Sequence, residues 1–238
     1  RDYFAGGKPS RELCWERCHT VEASPFLATL AAEAKRLGIY VAVGVDVRGP
    51  TKPTVHIASV LLGPSGSVVG VHRKTVLWDY EYTLFEASSD PYRIFDTEIG
   101  RLGLLICADG ILPETARCLA LLGAQVLVNS LNSRGPDEKR MHIPARCLEN
   151  GLWHISSNTV GNPNNVGLLW PWTGGSQIIA PDGTALATAS ETEEEIIFGE
   201  IVPSKADDKN ALLQVVPHLM QWRRPALYGE LAAPTASS

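Results

Sequence analysis

Tight turns recur along this chain at spacings too short for helical crossovers, and they limit the kind of sheet it can build. Gly63-Pro64-Ser65-Gly66 joins two β-branched runs, 55–62 and 67–73, and Glu98-Ile99-Gly100-Arg101 joins 93–97 to 102–107. Pro181-Asp182-Gly183 separates the runs 176–180 and 185–189, and 195–201 reads as a further strand. Hairpins impose antiparallel pairing, so a simple doubly wound parallel sheet is disfavoured. Helical signals lie between these runs. Ser24-Pro25 is an N-cap followed by proline at the first helical position, and residues 26–37 carry apolar side chains at helical spacing until Gly38 stops them. Residues 113–122 and 136–150 read as two more helices, the second ended by Gly151, while 39–47, 124–129 and 152–159 read as strands. Helices mixed with partly antiparallel strands predict a layered α/β domain.

Neither a repeat nor a low-complexity linker divides the 238 residues, and 45% hydrophobic residues suffice for one core. The expected organisation is a single domain over 1–238, with 1–23 a loop or linker and 230–238 a loose tail. With 21 Lys and Arg against 26 Asp and Glu, a formal charge of -5 and no basic block, nucleic acid is not an expected partner. The most apolar stretch, 119–128, is roughly half the ~18 residues a membrane span needs, so no membrane partner is expected either. Cys14, Cys18, Cys107, Cys118 and Cys147 make an odd count in a chain too large to need disulfides, which fits a reducing, cytoplasmic setting. Cys14 and Cys18 have no second pair at metal-ligand spacing, and no metal is expected.

Among these cysteines Cys107 is the candidate nucleophile. It ends an apolar strand just before a helix, where backbone N–H groups of the turn can stabilise a thiolate and then an oxyanion. The plainer alternative is a small buried hydrophobe at a strand end, the reading given to Cys118 and Cys147 inside helices. A thiol needs a base, and His72, His142 and His154 are available for a Cys-His pair. None is persuasively placed, and His72, beside Arg73 and Lys74, reads as a solvated strand-edge residue. Lys74, at the end of the strand 67–73, either reaches a site at the sheet edge or is surface charge.

Several ordered motifs together resemble the nitrilase superfamily of carbon-nitrogen hydrolases. His72-Arg73-Lys74-Thr75, Leu77-Trp78-Asp79-Tyr80-Glu81 and Phe85 resemble its lysine segment. Gly100-Arg101-Leu102-Gly103-Leu104-Leu105-Ile106-Cys107-Ala108-Asp109 with Pro113-Glu114 resembles its nucleophile segment. Ala145-Arg146-Cys147-Leu148-Glu149-Asn150, Asn158 with Val160-Gly161, Gly174-Gly175-Ser176, and Arg223-Arg224-Pro225 with Leu227-Tyr228 continue the likeness, which covers about residues 25–229.

The resemblance implies an α-β-β-α four-layer sandwich and hydrolysis of a small amide or N-carbamoyl compound through a thioester on Cys107, with no cofactor. It makes Lys74 the catalytic lysine, which holds the oxyanion together with the backbone N–H of Ala108, and Glu81 a second glutamate that positions Lys74 or substrate. Ala108-Asp109 after the nucleophile favours amides over nitriles, whose hydrolases carry Trp-Glu there. Trp78, Asn132, Arg134, Trp170 and Trp172 lie in segments that could line a narrow cleft, although each also reads as packing or loop surface. Arg134 suits a bidentate pair with a substrate carboxylate. Related proteins associate through the region of Glu149 and Asn150, so a homodimer or larger homo-oligomer is expected by resemblance. The family's general base is a glutamate in a Phe-Pro-Glu-like segment upstream of the helix at Ser24. Glu12, Glu16 and Glu22 are the glutamates there and none follows an apolar strand, so the chain is expected to lack the first two strands, the first helix and the base. The competing readings are a noncatalytic binding module of the same fold and a Cys-His hydrolase using His142 or His154.

Overall fold

The computed structural model describes residues 9–161, 172–208 and 219–233. Six α-helices, α1 (Arg11–Arg17), α2 (Pro25–Leu37), α3 (Glu81–Leu84), α4 (Pro113–Leu121), α5 (Ile143–Asn150) and α6 (Gly229–Ala232), are found there. The strands are β1 (Val41–Arg48), β2 (Val55–Leu62), β3 (Val68–Arg73), β4 (Ile94–Thr97), β5 (Gly100–Ile106), β6 (Val126–Ser130), β7 (Trp153–Ser157), β8 (Gln177–Ile179) and β9 (Ala185–Thr188). They form two sheets, one ordered β1-β2-β3 and one β4-β5-β6-β7-β8-β9. The first is antiparallel, and in the second only β5-β6-β7 pair in parallel. The tight turns read from the sequence account for the antiparallel pairs β2-β3, β4-β5 and β8-β9.

Alternation along the strands assembles four layers. On β2, Val60 and Leu62 face α2 and pack on its Leu27 and Ala34, while Leu61 points the other way into a core with Leu102, Leu104 and Val126 of the second sheet. On β5, Leu105 points outward to Ala116 and Leu119 of α4. Helix, sheet, sheet and helix follow in that order, the expected α-β-β-α sandwich. Gly70 on β3 allows the sheets to close, because a Cβ there would lie 2.1 Å from the Phe95 ring.

Local chemistry explains most boundaries. The Ser24 hydroxyl accepts from the Leu27 N–H at 3.3 Å, Pro25 opens α2, and Gly38 ends it with φ 66. Three expectations need correction. Residues 1–23 were expected as loop or linker, yet α1 forms there because the Ser10 hydroxyl caps Leu13 N–H at 3.2 Å and Cys14 buries completely against β2 and Phe85. The strand expected over 195–201 does not form: this segment has no ladder partner, and Ile196 and Phe198 are exposed. Helix 136–150 is present but contains a π-helical turn over Glu138–His142 ahead of α5. Within the expected loose tail, α6 adds one short helix with no buried side chains.

Candidate active site

β5 delivers Cys107 to the end of the second sheet. The chain leaves Ile106 extended and enters the left-handed region at Cys107, φ 46, opening a 3-10 turn over Cys107–Gly110. That conformation costs a non-glycine residue on the order of 1–2 kcal/mol and persists only where its surroundings impose it. Two bonds do so here. The Cys107 N–H donates to Asn129 Oδ1 at 2.8 Å, and the Ile106 N–H donates to Asp109 Oδ2 at 3.2 Å.

Asp109 also ties this turn to the lysine segment. Its fully buried carboxylate accepts from the Thr75 N–H (3.0 Å), Thr75 hydroxyl (2.8 Å) and Val76 N–H (2.9 Å), and meets His72 Nε2 at 2.9 Å. Burial pushes this carboxyl up, but the hydrogen bond and charge of His72 and the donors of Thr75 and Val76 outweigh it and hold the group below the ordinary carboxylate range. His72, expected as a solvated edge residue, is instead the partner of this carboxylate, stacked on Tyr92 with ring centroids 6.1 Å apart.

Lys74, just past β3, is 1% exposed, and its Nζ lies 2.5 Å from Glu81 Oε2. The Trp78 N–H donates to the same oxygen at 2.8 Å, so α3 presents Glu81 as a fixed support for the lysine. Asn132 lies on the loop after β6 and turns its backbone N–H to the Cys107 thiol. The sequence pattern alone gave no hint that this contact would come from the main chain. Burial raises the thiol first, and the charges of Glu138 and Glu81 raise it further. Lys74 and the Asn132 N–H pull the other way without prevailing, so the resting group is a thiol.

Ala108 is buried in the 3-10 turn beside the nucleophile. Arg134 lies over Trp172, its Cζ 5.7 Å from the ring centroid, with Nε buried and without a hydrogen-bond partner. Trp78 is 60% exposed, in keeping with its reading as loop surface, and Trp170 lies outside the described residues. Cys147 is buried, and burial drives its thiol far up, while Cys118 is exposed on α4. His154 is buried in β7 with no partner on either ring nitrogen, and His142 Nδ1 is likewise buried without one. Glu12, Glu16 and Glu22 are exposed, and Glu16 faces Lys52 at 3.4 Å on the surface.

Sequence reasoning missed Asn129, the bonding role of Asp109, and Glu138. A polar residue ending an otherwise apolar central strand was the available signal for Asn129. Glu138 is 5% exposed, yet in the sequence it looks like any acidic residue in the first turn of a helix. The loop that carries Arg134 is pinned by Asn158, whose Oδ1 accepts from Ser133 N–H at 2.9 Å and whose Nδ2 donates to Gly174 O at 2.7 Å.

Known proteins are similar to this chain in sequence and fold. The carbon-nitrogen hydrolase family model matches residues 6–209. A nitrilase of Pyrococcus abyssi is 31% identical over 192 residues, which span 81% of this chain and 70% of that protein. Deaminated glutathione amidase of Mus musculus is 30% identical over 221 residues, 84% of this chain and 65% of that protein. Among solved structures, a mutant amidase from Nesterenkonia sp. AN1 carrying the acetamide moiety of fluoroacetamide on its active-site cysteine superimposes with a TM-score of 0.72. It is 21% identical and covers 93% of this chain and 78% of its own. A cysteine clamped in a strained turn beside a buried lysine–glutamate pair, on this fold and with these relatives, places the chain in the carbon-nitrogen hydrolase family of the nitrilase superfamily.

Proposed function

We propose that this protein hydrolyses a non-peptide carbon-nitrogen bond of a small amide or N-carbamoyl compound through a thioester on Cys107, releasing ammonia or an amine. The observation that carries this reading is the Cys107 turn itself, held at φ 46 with the Asn132 N–H facing the thiol and the Lys74–Glu81 pair beside it. Attack of sulfur on the carbonyl carbon places negative charge on oxygen, where Lys74 Nζ and the N–H groups of Ala108 and Asn132 are the donors available. Glu81 keeps the lysine aimed. A carboxylate must take the thiol proton and return it to the leaving nitrogen. In the family that group belongs to the upstream glutamate segment, and the role is not given to Glu12, Glu16 or Glu22. Water then cleaves the thioester and restores the thiol.

Amides are favoured over nitriles because Ala108-Asp109 follows the nucleophile, and Asp109 is committed to holding the turn. Arg134 is proposed to receive a substrate carboxylate. A cytoplasmic homo-oligomer completes the reading; among the described residues no helix is long and apolar enough to cross a membrane.

The test is iodoacetamide labelling of the folded protein with peptide mapping, run beside ammonia release from a panel of small amides. Alkylation of Cys107 that a competing small amide suppresses, together with ammonia release abolished by Cys107→Ala, is the expected result. Ligand binding without any turnover would favour a noncatalytic module of the same fold, and loss of activity in His142→Ala or His154→Ala but not Lys74→Ala would favour the Cys-His reading.

A further inference from the structure

Three carboxylates surround Cys107, and they differ in what they have left to offer. Asp109 is taken up by five donors. Glu81 is engaged by Lys74 and the Trp78 N–H. Glu138, in the π-helical turn before α5, is 5% exposed, and its Oε1 is buried with no partner. It is among the charges that act on the Cys107 thiol, and Lys74 acts on it in turn. The same oxygen approaches the turn that carries the nucleophile, where a Cβ on Gly110 would lie 4.0 Å from Glu138 Oε1 and 2.8 Å from Asn129 Nδ2, itself buried without a partner.

A buried carboxylate oxygen without a donor is costly, and among the described residues no cation of the site bonds it. Lys74 belongs to Glu81. The neighbouring Lys139 turns away and is held by Glu191 at 2.7 Å and Thr173 O at 2.9 Å. Arg134 lies on Trp172. A π-turn in a helix is a common device at functional sites, and this one buries Glu138 and Lys139, adjacent residues, in opposite surroundings. Burial pushes the Glu138 carboxyl up, as an uncompensated charge requires, and an incoming cation would reverse that.

We infer that Glu138 is the specificity residue of this site and that its free Oε1 receives a protonated amine on the substrate, so that the preferred substrates are small amides bearing an ammonium group. The inference deepens the hydrolase reading and rests on it for turnover, though not for binding.

The experiment compares ω-amino amides of three to six carbons with neutral amides of equal length, in two readouts: kcat/KM for ammonia release, and protection of Cys107 from iodoacetamide. Wild type is expected to favour the best cationic amide at least tenfold in both. Glu138→Gln should bring that ratio to within about twofold, and Glu138→Asp should keep it while moving the optimum to a longer amine, since the carboxylate retreats by one methylene. The inference is overturned if no cationic amide outperforms its neutral partner, or if Glu138→Gln keeps the preference. It is also overturned if a folded Glu138→Gln no longer alkylates at Cys107 without any amide, which would make Glu138 the proton acceptor of the thiol. Should Glu138→Gln not fold, an unmoved optimum in Glu138→Asp overturns it as well. Cation-selective protection without ammonia release would leave this inference standing and remove the hydrolase reading instead.

Discussion

The two walls of the site are built to opposite standards. On the side of β3 and α3, the charged groups are matched: Asp109 against Thr75, Val76, Ile106 and His72, and Lys74 against Glu81. On the side of β6 and α5, buried polar atoms stand without partners, namely Asn129 Nδ2, Arg134 Nε, Glu138 Oε1 and Trp172 Nε1. Unmet buried groups are expensive, so a cluster of them at one wall marks where a ligand supplies the missing bonds, whereas a satisfied network marks what must not move. On the proposed reading, the first wall is geometry and the second is reception.

The difference is sharpest if the first wall is cut. Asp109→Ala strips five donors of their acceptor inside the protein, and about 3–5 kcal/mol of stability should be lost, read by urea denaturation. A loss below about 1 kcal/mol would mean the network is not what holds the Cys107 turn. Lys74→Met should follow, with kcat for amide hydrolysis falling on the order of 10²–10³-fold if the lysine carries the oxyanion. An unchanged kcat with raised KM would instead move Lys74 into ground-state binding.

How much of this was legible follows the same division. The hairpin turns, the Ser24 cap and the Gly38 stop act within a few residues, so the layered mixed sheets could be read directly from local chemistry. The positions of Cys107, Lys74 and Glu81 were legible through ordered motifs. Contacts between distant segments were not. Asp109 reaching Thr75 and His72, and Asn129 holding the Cys107 N–H, depend on which strand ends the fold brings together, and spacing along the chain carries no record of that. Glu138 was invisible for another reason, since its burial depends on a π-turn that a helical pattern cannot announce. Local capping also explains the miss at α1, where Ser10 and Cys14 were present but no long apolar periodicity drew attention to seven residues.

An orphan outside the site tests whether unmet groups always mean reception. His154 lies in the sheet core with both ring nitrogens unpaired, and burial pushes its pKa down to about 3 from the ordinary 6.5. The unfolded chain therefore takes a proton that the folded one refuses. Its contribution to stability is intact above pH 6.5 and declines as pH falls toward 3, with a slope approaching about 1.4 kcal/mol per pH unit. His154→Leu should flatten the pH dependence of stability between pH 6 and 4 by that one-proton slope and leave ligand protection of Cys107 unaltered. If the slope does not change, His154 is not buried as a neutral ring.

The smallest expected effect is the one that separates the walls most cleanly. Arg134→Ala removes a guanidinium whose Nε has no partner, so stability should shift by no more than about 0.5 kcal/mol, far from the cost of cutting Asp109. If the arginine receives a substrate carboxylate, KM for an amide bearing that group should rise roughly tenfold while activity on the neutral amide of equal length holds, since the lost contact is bidentate and charge-assisted. Should Arg134→Ala instead destabilise the fold as a network residue does, the guanidinium on Trp172 would belong to the structural wall, and the second wall would be smaller than its unpaired atoms suggest. Because the stability and KM readouts are independent, one variant decides both points.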